Sequence, residues 1–185
     1  MTVVDASPLA ASPITAVPPA PRPDAPQPQT AQERAWMEQA LDLAAANVAA
    51  GGGPFGAVVV RDGLVLGRSG NRVTDSHDPT AHAEIMAIRA ACRTLRDFRL
   101  DGALLISSCE PCPMCLTAVL WARVERVLFA ADRHDAADAG FDDLEFYRLL
   151  ERPRSSWTVP VARMSHEKAQ LPFEAWSACA DRIDY

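Results

Sequence analysis

From Thr30 onward, the chain switches repeatedly between helical and strand-like hydrophobic periodicity. Ala35, Trp36, Leu41, Leu43 and Ala44 populate one side of a predicted helix. Thr30 can cap it, with Glu33 completing a capping box, and Gly51-Gly52-Gly53 ends it. Pro54-Phe55-Gly56 leads into the apolar run Ala57 to Val60, a first strand. Asp62-Gly63 is a hairpin turn, and Leu64 to Gly67 begins the return strand. Asn71 to Thr80 is a polar loop with Pro79 near its end. A helix opens near Thr80 and carries His82, Glu84, Ile85 and Ile88. Ala103 to Ser107 forms a third strand, Cys112 to about Ala122 a second core helix, and Val124 to Ala130 a fourth strand. Residues 143–151 read as helical, Thr158 to Ala162 as a short strand, and Leu171 to about Arg182 as a final helix. Strands alternating with helices imply an α/β layered fold.

The second core helix is apolar almost all round: Met114, Leu116, Ala118, Val119, Leu120 and Trp121 leave little polar face. Such a helix is expected to be covered on all sides. The cover is either another subunit or the C-terminal helix. Residues 1 to about 30 read differently. Eight prolines from Pro8 to Pro28 are scattered among Ala, Ser, Thr and Gln. That density forbids helix and central strand, and the segment lacks apolar mass to bury. The expected organisation is a proline-rich disordered tail over residues 1–30 and one folded domain over 31–185.

Composition narrows the classes. A hydrophobic content of 49% in 185 residues is ample for one packed core. A net charge of -6 disfavours a phosphate backbone as main partner, so nucleic acid is not expected. Arg89, Arg93, Arg96 and Arg99 recur at helical spacing, but Asp97 and Asp101 beside them favour a solvated face. No apolar run reaches the roughly 18 residues of a membrane span, and no charged-then-apolar N-terminal leader is visible. Five cysteines, three of them clustered, fit a reducing, cytoplasmic compartment rather than a disulfide framework.

The chemistry lies in two short segments. His82-Ala83-Glu84 and Pro111-Cys112-Pro113-Met114-Cys115 supply one imidazole, two thiolates and a free carboxylate. A catalytic zinc takes three protein ligands and keeps one position open. It acidifies the water there to a pKa of about 7. Glu84, two residues from a ligand histidine, can then shuttle protons. Cys112 and Cys115 are the expected ligands, placed at a helix start where the dipole favours thiolate. Cys109 ends the preceding strand, and Cys92 and Cys179 read as small buried apolar residues. His77 and His134 have no partner spacing and read as surface histidines. Cys109, Cys112 and Cys115 fall at spacing three, so a structural zinc or a cluster remains the alternative, but such sites want four protein ligands and no separate CxxC stands elsewhere in the chain.

With these segments in place, the chain resembles the cytidine deaminase-like zinc deaminases, which share the H-x-E…P-C-x-x-C pattern. More narrowly it resembles the small bacterial guanine deaminases, over roughly residues 33–185. Asp78-Pro79-Thr80-Ala81-His82-Ala83-Glu84 and Ser108 to Leu116 carry the chemistry. Gly53-Pro54-Phe55-Gly56-Ala57, Ala136 to Asp143, Pro172-Phe173-x-x-Trp176 and the terminal Asp184-Tyr185 carry the narrowing. The resemblance implies a three-layer αβα sandwich with a central mixed sheet of about five strands. It implies one Zn²⁺ per subunit and hydroxide attack on C2 of guanine, with xanthine and ammonia as products. It makes Asp143 a second acid near the leaving amine, where a helix N-cap is the plainer role. Phe55 and Asn71 enter the substrate pocket, against the alternatives of core and turn residue. Trp121 can supply a further aromatic face. The resemblance also implies a homodimer in which Tyr185 closes a site, its own or its partner's, against the alternative of a frayed terminus. The proline-rich tail is outside the family pattern. Cytosine, pterin or triazine rings and tRNA adenosine remain alternative substrates, and a non-catalytic zinc-stabilised module the alternative class.

Overall fold

The structure is a computed structural model that describes residues 29–185. The expected disordered tail therefore lies almost wholly outside the described residues. Helix α1 (Ala31–Ala49) precedes the hairpin β1 (Gly56–Arg61) and β2 (Leu64–Gly70). The short α2 (Val73–Ser76) and α3 (Ala83–Leu95) lead to β3 (Leu104–Cys109). Then follow α4 (Pro113–Trp121), β4 (Arg126–Ala131), α5 (Arg133–Asp138), α6 (Asp143–Leu150) and α7 (Leu171–Ala178).

One sheet runs in the order β2-β1-β3-β4. β1 is antiparallel to both β2 and β3, while β3 and β4 are parallel, so the sheet is mixed. The turn residues Asp62 (φ 52°) and Gly63 (φ 79°) both take positive φ, as a primed hairpin turn requires. Alternation on β1 separates the layers. Val58 and Val60 join Ala40 and Ile106 under α1, and Ala57 and Val59 join Ala87, Ala91, Leu105 and Val119 under α3 and α4. Gly67 permits the second contact. A Cβ there would lie 2.4 Å from the Ala87 carbonyl and 2.5 Å from the Ala91 nitrogen, so α3 rests directly on β2.

Several expectations are corrected. The described sheet has four strands rather than about five. Thr158–Ala162 joins no ladder: Pro160 removes a donor from its middle, and the segment is exposed. The last helix stops at Ala178, because Cys179 turns to an extended backbone (ψ 109°). Cys179 is exposed and Cys92 half-buried, so neither is a fully buried apolar residue. On α1 the buried stripe is Glu33, Ala40, Ala44 and Asn47, while Ala35 and Leu41 face solvent. The polar members of that stripe are partnered. Glu33 pairs with Arg126 of β4, and Asn47 holds two backbone carbonyls described below. On α4 only Cys115 and Val119 are buried, and Leu120 and Trp121 remain 69% and 57% exposed. Helix α7 therefore does not cover that face. No described helix is long and apolar enough to cross a membrane.

Candidate active site

Two helix starts meet at one point. His82 precedes α3 with an extended backbone (φ -63°, ψ 155°), and Cys112 precedes α4 in the same way (φ -61°, ψ 167°). Neither side chain caps its helix, which leaves both free for other chemistry. Pro113 opens α4, where its missing N–H costs nothing. Cys115 and Glu84 sit in the first turns of the two helices. Those ends carry partial positive charge, which favours thiolate and carboxylate.

The Cys112 Sγ lies 3.6 Å from His82 Nδ1, and the ligand atoms of His82, Cys112 and Cys115 all lie within 4.8 Å of one another. Two sulfurs at about 2.3 Å and a nitrogen at about 2.0 Å from a tetrahedral Zn²⁺ stand roughly 3.5–3.8 Å apart. A small contraction brings the group to that geometry. One imidazole and two thiols form a donor set that fits Zn²⁺, and three ligands leave a position open. Cys109 is outside the group. It ends β3, and its thiol donates to the Asp132 carbonyl at 3.6 Å. Burial pushes that thiol up to about 12, so it stays protonated.

The electrostatics single out the same residues. A hydrogen bond from Cys115 holds the Cys112 thiol down to about 4, and His82 reinforces it. Cys115 is correspondingly pushed up by that hydrogen bond and by burial, so the pair shares one proton. The Cys112 hydrogen bond also raises His82. Glu84 is 6% exposed, and burial pushes its carboxyl up to about 7. Asp143 is raised as well, first by burial and then by the Cys112 thiolate.

A cavity of about 210 Å³ opens beside this group, lined by Phe55, Asn71, Glu84, Phe141 and Asp143 together with His82 and Cys112. Phe55 and Phe141 meet edge to face, with centroids 4.8 Å apart at 78°. Asn71 is buried, and its Oδ1 accepts from the Val73 N–H at 3.0 Å. That is the local turn the plain alternative proposed, yet the residue also faces the cavity. Its Nδ2 has no partner among the described residues. Asp143 is the first helical residue of α6, and Asp142 holds the N-cap position.

Trp121 and Tyr185 are not brought to this cavity. Trp121 ends α4, and Tyr185, 72% exposed, lies beside it with ring centroids 5.9 Å apart. Phe98 and Trp176 complete that aromatic cluster. Conversely, sequence reasoning missed Phe141, although it lies within the quoted Gly140-Phe141-Asp142-Asp143. It also missed a brace behind the metal group. The Tyr147 hydroxyl donates to the Pro111 carbonyl at 2.6 Å, and Arg133 stacks 3.5 Å over the Tyr147 ring. Arg133 also donates from Nε to Glu110 at 2.9 Å. Tyr147 stands four residues after Asp143 on α6, a one-face spacing that could have revealed it. Nothing local in the sequence marks Arg133.

Residues 30–131 match the zinc-binding region of cytidine and deoxycytidylate deaminases. The guanine deaminase of Bacillus subtilis is 48% identical over 144 residues, which is 77% of this chain and 92% of that protein. A solved guanine deaminase structure from Bacillus subtilis superposes with a TM-score of 0.79 at 46% identity, covering 82% of this chain and 98% of that one. A tRNA-specific adenosine deaminase of Agrobacterium fabrum is 51% identical over 78 residues, 42% of this chain and 51% of its own. The match to the first relative spans most of both chains and runs well beyond the zinc-binding segments. The chain belongs to the cytidine and deoxycytidylate deaminase zinc-binding family, and within it to the small bacterial guanine deaminases.

Proposed function

We propose that this chain hydrolyses guanine to xanthine and ammonia, with one Zn²⁺ per subunit held by His82, Cys112 and Cys115. The observation that carries this reading is the three-donor group, two of whose members, His82 and Cys112, line a base-sized cavity together with the buried Glu84. When bound, Zn²⁺ supplies an acidified water as nucleophile at neutral pH. Glu84 takes the proton of the attacking water. With a pKa near 7, it can also give that proton to the ring nitrogen and then to the amine. The water oxygen bonds to C2, the C2–N bond breaks, and ammonia leaves beside Asp143. Phe55 and Phe141 contact the base, and Asn71 Nδ2 donates to its edge. The folded domain of residues 31–185 contains all of these groups, and we assign the proline-rich tail no part in the chemistry. Five free cysteines support a reducing, cytoplasmic setting.

tRNA adenosine is the less favoured substrate. Curated relatives of that class match over 42% to 60% of the chain, against 77% for the guanine deaminase, and a net charge of -6 opposes an RNA groove. Ammonia release from guanine, cytosine, a pterin, a triazine and tRNA by the zinc-loaded protein tests the assignment. Guanine is expected to be the preferred substrate, and preference for another ring would overturn it.

The working unit in this proposal is a homodimer. The apolar face of α4 is exposed, and residues 158–185 are exposed throughout. A capping role for Tyr185 is then one exerted on the partner's cavity, with Trp121 at the junction rather than on the base. Exchange of an existing segment reaches such a dimer at low cost. Removing Ile183 to Tyr185 should lower turnover and leave zinc content unchanged. Unchanged guanine kinetics would end the capping role, and a monomer by size exclusion would end the dimer.

A further inference from the structure

Asn47 lies outside both metal segments, near the end of α1, and is 6% exposed. Its Nδ2 donates at 2.8 Å to the Gly53 carbonyl and at 2.8 Å to the Asn71 carbonyl. Two carbonyl acceptors leave the amide one orientation, since an oxygen turned toward them would be repelled. Both of these anchored residues line the cavity. The surroundings are cut to fit the side chain. A Cβ on Gly52 would stand 2.3 Å from Asn47 Nδ2, and one on Gly70 would stand 2.8 Å from its Cγ. Gly53 in turn abuts the Phe55 ring and the Asn71 amide, at 3.4 and 3.5 Å from its own ideal Cβ. One buried amide therefore ties the glycine turn that carries Phe55 to the start of the loop that carries Asn71.

We infer that Asn47 is a positioning residue for substrate binding, acting through Asn71 and Phe55 and never touching the base itself. This rests on the reading above, in which those two residues hold the base. It sets the width and polarity of the cavity wall that Gly53, Phe55 and Asn71 form. The inference predicts a loss in binding with little loss in the chemical step, because His82, Cys112, Cys115 and Glu84 belong to other segments.

The experiment measures guanine kinetics per bound zinc for Asn47→Ala, Gly52→Ala, the double variant and Asn71→Ala. Losing two buried hydrogen bonds should raise KM about tenfold in Asn47→Ala while kcat per zinc stays close to wild type. Gly52→Ala keeps the amide but displaces it, and should raise KM in the same sense. In the Asn47→Ala background, Gly52→Ala should add nothing, since the atoms it would strike are gone. A KM at the wild-type value in the zinc-loaded fraction of both single variants would overturn the inference. Additive KM effects in the double variant would overturn it too. If Asn71→Ala raises KM while Asn47→Ala does not, only the positioning role falls. If Asn71→Ala leaves KM unchanged, the base-binding reading falls, and this inference with it.

Discussion

Glu84→Gln is expected to abolish turnover while keeping zinc and the fold. Glu84 is buried, it stands two residues from His82, and its carboxyl titrates near 7. Glutamine has the same shape and fills the same space without opening a cavity. It can neither accept the water's proton nor return one to the leaving amine. Proton transfer by a placed group typically contributes about 10²–10⁴-fold, and Glu84 is asked to act at both ends of the reaction. A loss at the upper end of that range is therefore expected. The measurement is ammonia release beside metal analysis of the same preparation. Activity near wild type in the zinc-loaded variant would remove Glu84 from the chemistry.

The second large effect separates the cysteines. Cys112→Ala and Cys115→Ala should each lose the metal and all activity, since either leaves two donors where a catalytic zinc uses three. Cys109→Ser should retain most of the zinc. Cys112 is held as a thiolate by Cys115 and His82, whereas Cys109 stays protonated and bonds to the Asp132 carbonyl. Zinc stoichiometry after dialysis reads the difference. Zinc lost from Cys109→Ser and kept by Cys112→Ala would reverse the ligand assignment.

The parts of the site legible in the sequence are those set by short spacings. His82 with Glu84, and Cys112 with Cys115, each fall within one helical turn. The structure has only to bring two helix starts together. Asp62-Gly63 was legible for a similar reason, because its two positive φ angles are a local matter. What the sequence obscured is tertiary. The expected α1 stripe holds for Trp36, Leu43 and Ala44 and fails for Ala35 and Leu41, and it omits the buried polar residues Glu33 and Asn47, whose partners are Arg126 on β4 and the carbonyls of Gly53 and Asn71. No pattern within α1 announces those partners. Thr158–Ala162 has strand-like residues but no neighbour to pair with and a proline at its centre. The pocket assignment rests on an aromatic face for Trp121 and on the resemblance for Tyr185, yet the two cluster with each other at the end of α4. The Tyr147 brace was partly readable through its spacing from Asp143, but its acceptor at Pro111 is 36 residues away.

The central claim is that a water-derived oxygen replaces the amino group of guanine in this cavity. The most direct measurement is turnover of guanine by the zinc-loaded protein in ¹⁸O-labelled water, with the products resolved by mass. The account predicts xanthine carrying one labelled oxygen, with one ammonia released for each. Guanine recovered unchanged while another amino-substituted ring is converted would contradict it.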